Sequence, residues 1–299
     1  MNRLYILLTV MVVMVGMVGA FFADHEALAK VLTGTGGDDT LVGTDREDRL
    51  TGNRGHDSLT GRDGEDRLKG SRGNDHLWGS QGNDHLWGSQ GNDKIVSGEG
   101  NDTMKGETGN DILTGGPNND TMDGGASNDT YNFADNFGAD RISADSAGVD
   151  TLNFVALTST FTDGNGVSVD LRGQGSKLCP TTANRCHSIA GPFIENVVGT
   201  VFNDNLRGNP SSNKINGSGG DDTIESGNGN DEIIPGEGHD VVYAGDGDDI
   251  IYARDTDGYD YIGCGGGFDQ VGTIHGQDRT VSNCERAIGP GRGDIKTGG

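Results

Sequence analysis

The chain has 299 residues, of which only 31% are hydrophobic and 54 are glycine, so ordinary globular cores cannot fill it throughout. Asp and Glu outnumber Lys and Arg by 46 to 22, for a formal net charge of −24, which argues against nucleic acid and anionic membrane surfaces as partners and for cations. Low hydrophobicity with high charge also marks disordered chains, but the strict periodicity below indicates one that orders once its charge is neutralised.

Residues 4 to 23, LYILLTVMVVMVGMVGAFFA, carry no charge and lie between Arg3 and Asp24. They read as an export segment. Small-x-small cleavage sites at Val18-Gly19-Ala20 and Ala27-Leu28-Ala29 suit a signal peptide over residues 1–29. An uncleaved anchor is the alternative, since about twenty apolar residues can span a bilayer. Both routes place the remainder outside the cytoplasm.

From Gly34 to Phe133 one nine-residue phrase is written eleven times without a gap. Asp39, Asp48, Asp57, Asp66, Asp75, Asp84, Asp93, Asp102, Asp111, Asp120 and Asp129 fall nine apart, each followed two residues later by Leu, Ile, Met or, finally, Tyr131. Clear copies such as GSRGNDHLW from Gly70 and GSQGNDHLW from Gly79 read as a six-residue glycine-rich turn and a three-residue strand. This is the grammar of a solenoid rung.

The pattern resembles the RTX family of secreted, calcium-binding β-roll proteins, whose nonapeptide is G-G-x-G-x-D-x-U-x with U a large aliphatic. The resemblance implies an all-β fold, a parallel β-roll or β-solenoid, and Ca2+ as the bound ion. In the family's roll two nonapeptides make one coil, so aspartates eighteen apart become neighbours. Nine pairs result in this array, from Asp39 with Asp57 to Asp111 with Asp129. Two carboxylates at one edge repel each other and resist ionisation, and a hard divalent cation relieves both penalties. Arg46, Asn118 and Ser127 replace the glycine at the fourth place. Asn tolerates positive φ better than Arg or Ser, so the array's ends are expected to bind more weakly.

Places seven and nine of each rung are expected to face outward, holding Arg49, Arg67, His76, His85, Lys94, Trp78 and Trp87. The Trp and His pairs could contact sugar, but their spacing puts Trp78 and Trp87 on opposite faces, and duplication of a rung accounts for them.

Residues 30–133 form the first array, and 134–200 are expected as an irregular β connector. There FGADRI and GVDTLNF keep the repeat grammar at Asp140 and Asp150, while VSVDLRG and FIENVVGT alternate like strands. From Asp204 the nine-residue beat returns, within 201–288, at Asn213, Asp222, Asp231, Asp240 and Asp249, then at Asp260, Asp269 and Asp278 after a two-residue insertion. Its opening turns GTVFND and GNPSSN lack the turn glycine and Asn213 lacks the carboxylate, so they read as a structural cap. Asp222 with Asp240 and Asp231 with Asp249 are the better pairs. Residues 289–299 are expected as a flexible tail, whose Arg292-Gly293-Asp294 is a chance tripeptide in so Gly- and Asp-rich a chain.

An oxidising compartment would pair the four cysteines, for which three connectivities exist. Two local bridges are expected, Cys179 with Cys186 and Cys264 with Cys284, the latter between adjacent coils two rungs apart. The end of the second array resembles the disulfide-closed last coil of some secreted relatives.

No catalytic motif is present. HEALA at His25 lacks the second histidine of a zinc-protease helix, and no G-x-S-x-G elbow occurs. The reading is therefore a secreted calcium-binding protein with a structural or adhesive role, with cell-wall or extracellular polysaccharide as a partner. A polysaccharide lyase or epimerase built on a β-solenoid is the alternative.

Overall fold

A computed structural model describes residues 28–135, 137–143, 147–157, 166–172, 176–178, 187–189, 194–253, 259–272, 279–281 and 284–288. The expected export segment, Cys179, Cys186, Asp278 and the tail lie outside the described residues.

Every inward position of the repeat follows from the two-residue period of a strand. In Asp-x-U-x-Gly the aspartate, the large apolar residue and the glycine all point into the roll, as in Arg67–Arg72 and His76–Gln81. The strands are longer than the three residues expected. Most full ones span six, because pairing continues through the next rung's opening glycine to its third place. Outside the turns that open each array, the chain of a regular rung then bends at two positive-φ residues. The fourth place holds Gly73 (φ 126°) or Gly82 (φ 130°), and the second holds Ser71 (φ 95°), Arg62 (φ 88°) or Glu107 (φ 76°). Asn118 and Ser127 adopt positive φ as expected, whereas Arg46 does not.

Successive rungs fall alternately into two parallel sheets. Sheet A has seven strands, from Val31–Thr33 to Arg141–Ile142, and sheet B has thirteen, from Thr40–Val42 to Cys284–Ile288. The register is eighteen residues, so Leu50 lies beside Leu68, Leu68 beside Leu86 and Leu86 beside Met104. On sheet B, Leu59, Leu77 and Ile95 form the matching column. These side chains are fully buried, each contributing about 1.5–3 kcal/mol. The core is thus two apolar columns back to back.

Sheet B runs unbroken through the expected connector. Strand Asp150–Ala156 pairs directly with Ile194–Val198. Between them in sequence lie the antiparallel pair Ser176–Leu178 and His187–Ile189 and strand Ser168–Asp170, which opens six-stranded sheet C. Where the beat loosens, Phe133 takes the inward glycine's place and stacks on Phe154 with ring centroids 4.8 Å apart. Phe137 meets Phe133 edge-on at 5.3 Å.

Cys264 and Cys284 form a disulfide, Cα to Cα 5.4 Å. The bond differs in placement from that expected. It joins the strand Tyr261–Gly266 of sheet C to Cys284–Ile288 of sheet B, so it crosses the inside of the last coil. Cys264 occupies the inward glycine's place, and Cys284 stands in register with Asp269.

Candidate metal centre

The eighteen-residue register carries each aspartate onto the next coil. The backbone amide of Asp39 donates to Asp57 Oδ1 at 2.8 Å, Asp57 to Asp75 at 2.8 Å, and Asp75 to Asp93 at 2.7 Å. Asp93 continues to Asp111 and Asp111 to Asp129, both at 2.7 Å. The other edge runs Asp48, Asp66, Asp84, Asp102, Asp120 and Asp140. In the second array Asp204 leads to Asp222, Asp240 and Asp260, and Asn213 to Asp231, Asp249 and Asp269. The ladders also take in Asp140, Asp150 and Asp204, absent from the expected site residues. The signal at Asp140 and Asp150 was the Gly-x-Asp grammar at spacings lengthened to 20 and 21, and at Asp204 it was the spacing of eighteen to Asp222.

One oxygen of each carboxylate is thereby used, and the other faces inward. The Oδ2 atoms of Asp57, Asp66, Asp75, Asp84, Asp93, Asp111, Asp120, Asp140, Asp222 and Asp249 are buried with no hydrogen-bond partner. A buried acceptor left so is costly, and costlier when ionised. Burial therefore pushes these groups up: Asp66 to about 6, Asp84 and Asp93 to about 7, Asp120 to about 8 and Asp222 to about 9. The amide from the preceding coil opposes the rise and the neighbouring carboxylates add to it.

The inward glycine makes room for this second oxygen. A Cβ at Gly52, Gly70 or Gly88 would collide with Oδ2 of Asp57, Asp75 or Asp93. The Cβ position at Gly79 lies between Asp84 Oδ2 and the Ser97 carbonyl, and that at Gly106 between Asp111 Oδ2 and the Gly124 carbonyl. Serine replaces the glycine twice. Ser97 Oγ donates to the Gly115 carbonyl at 2.8 Å and Ser226 Oγ to that of Ala244 at 2.5 Å, and each hydroxyl eases the burial-driven rise at Asp102 or Asp231.

Asp39 and Asp48, expected as ligands with the rest, are placed differently. Thr35 donates its backbone amide and its hydroxyl to Asp39 Oδ2, the hydroxyl at 2.9 Å. Thr44 does the same to Asp48 Oδ2, its hydroxyl at 3.0 Å. The second array opens alike, Thr200 donating to Asp204 and Asn209 exchanging bonds with Asn213. Two turns at the head of each array thus satisfy their own inward oxygen, and threonine or asparagine at the second place is what does it.

Among the described residues no group of three or more His, Cys, Asp or Glu gathers as a metal site, so backbone carbonyls would have to complete any shell. Anionic carboxylate and neutral carbonyl oxygens, both hard donors, fit Ca2+, which takes roughly 6–8 oxygens in flexible geometry. They do not fit a soft metal.

Fold and site together define a parallel β-solenoid whose coils stack buried aspartates in rows. The family model of the RTX calcium-binding nonapeptide repeat matches residues 33–68, 60–95, 96–131, 198–233 and 236–259, more than half of the chain. The chain belongs to that family, and its repeats bind calcium. No curated protein matches the chain.

Proposed function

We propose that this is a secreted protein whose repeats fold on calcium into a stiff rod with a structural or adhesive role outside the cell. The observation that carries the reading is the row of inward carboxylate oxygens that the protein itself leaves without partners. Bound calcium supplies positive charge against those oxygens. The chain's residues do the rest. Glycine at the inward place admits the carboxylate, the preceding amide fixes one of its oxygens, and the stacked apolar columns hold the coils in register.

On this reading Asp57, Asp66, Asp75, Asp84, Asp93, Asp102, Asp111, Asp120 and Asp129 are the ligands of the first array, with Asp140 added at its end. Asp222, Asp231, Asp240, Asp249, Asp260 and Asp269 serve the second. The division into arrays over 30–133 and 201–288 with a connector over 134–200 is part of the same proposal, as is removal of residues 1–29 on export. Calorimetric titration of the mature protein with calcium, read beside circular dichroism, tests it. Several ions bound per chain with a coincident gain of β-structure support the reading, and no binding at millimolar calcium defeats it.

A further inference from the structure

Net charge conceals a face of the opposite sign. On sheet A the outward places of four consecutive strands, Arg49–Arg54, Arg67–Arg72, His85–Gln90 and Thr103–Thr108, gather most of the first array's cations. Arg49 lies directly across from Arg67, and Arg67 from His85. Lys69 lies across from Trp87, and Trp87 from Lys105. At the strand ends Arg54 lies beside Arg72. Arg49, Arg54, Arg67, Lys69, Arg72 and Lys105 are exposed.

Like charges placed directly opposite destabilise a sheet, and this chain has acids in surplus that could have separated them. Among the described residues the ion pair on this face is that of Arg67 with Glu47, at 2.7 Å. Glu107, exposed on the same strand as Lys105, and Asp123, in register beyond Lys105, bound the patch. The same rungs on sheet B carry no such row: Ser58, His76 and Lys94 follow one another, with Thr60, Trp78 and Val96 beside them. Nothing in the fold requires the difference, because both columns of outward places are free to vary.

Trp87 completes the face. Its half-buried ring lies nearly parallel to that of His85, with centroids 5.7 Å apart and an interplanar angle of 14°, and Lys69 and Lys105 stand in register on either side. Strands advance by about 4.8 Å, close to the advance of one pyranose ring in an extended glycan. A chain of acidic sugars laid along the solenoid axis would therefore meet one outward side chain per residue.

We propose that this face of sheet A binds an anionic polysaccharide. Arg49, Arg67, Lys69 and Lys105 take its carboxylate or sulfate groups, and Trp87 stacks beneath a ring. The inference rests on the calcium-folded reading above and gives the adhesive role a partner.

The chain's two tryptophans make the test direct. Trp78→Phe leaves Trp87 as the sole reporter on sheet A, and Trp87→Phe leaves Trp78 on sheet B. Each variant, calcium-loaded and checked by circular dichroism, is titrated with polygalacturonate, heparin, neutral dextran, duplex DNA and anionic phospholipid vesicles. Saturable change in Trp87 emission with an acidic glycan, silence with dextran and silence of Trp78 support the proposal. The double variant Lys69→Glu/Lys105→Glu should bind roughly tenfold or more weakly while keeping its β-structure and calcium stoichiometry. A calcium-loaded roll whose Trp87 is silent overturns the glycan inference alone, as does tighter binding to DNA or vesicles. A chain that stays unfolded in calcium removes the calcium reading and this face with it.

Discussion

The backbone amide of Asp66 donates to Asp84 Oδ1 at 2.8 Å, eighteen residues on, while Asp84 Oδ2 is buried without a hydrogen-bond partner. One carboxylate thus splices two coils with one oxygen and keeps the other for a ligand. The repeat stores a demand for positive charge wherever it stacks.

The demand is absent at the head of the array, where Thr44 occupies the second oxygen of Asp48. Asp84→Asn should therefore raise the calcium concentration at the folding midpoint several-fold and lower the number of ions bound. Asp48→Asn should leave both nearly unchanged. Thr44→Val, which removes the hydroxyl, should cost about 1 kcal/mol with no change in stoichiometry. Equal effects of Asp48→Asn and Asp84→Asn on calcium titrations would contradict the assignment of Asp48 to a cap.

Protons should substitute for calcium. The folded-state values rise from 3.8 to about 6 at Asp66, about 7 at Asp84 and about 9 at Asp222, so protonation favours the ion-free roll. That contribution is complete below about pH 4 and is lost as pH climbs through 6 to 9. Calcium-stripped protein should show more β-structure by circular dichroism at pH 4 than at pH 8. In calcium, the folding midpoint should move to higher ion concentration as pH falls from 8 to 5, because protons and calcium compete for the same oxygens. The opposite slope in either arm would contradict the burial of these groups.

The two bend positions of each turn differ in what they tolerate. At Gly73, φ is 126° and an added Cβ would strike the Gly55 carbonyl on the neighbouring coil, so Gly73→Ala should lower stability by more than about 2 kcal/mol. Arg62 already carries a side chain in left-handed backbone, with φ 88°, and Arg62→Gly should be neutral or stabilising by up to about 1 kcal/mol. Thermal melts of the calcium-loaded variants decide between these signs.

The Cys264–Cys284 bond closes a separation of twenty residues, a span worth roughly 3 kcal/mol in the chain-entropy account. Replacing both cysteines with serine should lower the melting temperature of the calcium-loaded protein and expose the last coil to proteolysis first. Calcium stoichiometry of the first array should not change. An unaltered melt would mean that the end coil is held by its apolar column alone.

Periodicity by itself determined the solenoid, while calcium and the stacking of aspartates eighteen apart were what the resemblance to the RTX family implied; the register then aligns Leu50 with Leu68 and Asp66 with Asp84. Periodicity also marked the asparagine cap at Asn213. It did not show that Thr35 and Thr44 cap the first array, since a threonine four residues before an aspartate acquires meaning only when the turn brings the hydroxyl back to the carboxylate. Nor could spacing place Cys264 and Cys284 on different sheets, because the insertion before Asp260 and the register shift beside Asp269 reset the count. The basic face was equally hidden. Arg49, Arg67, Lys69 and Lys105 are scattered in a chain of net charge −24, and only the alternation of rungs between two sheets gathers them around Trp87 and leaves the other face without them.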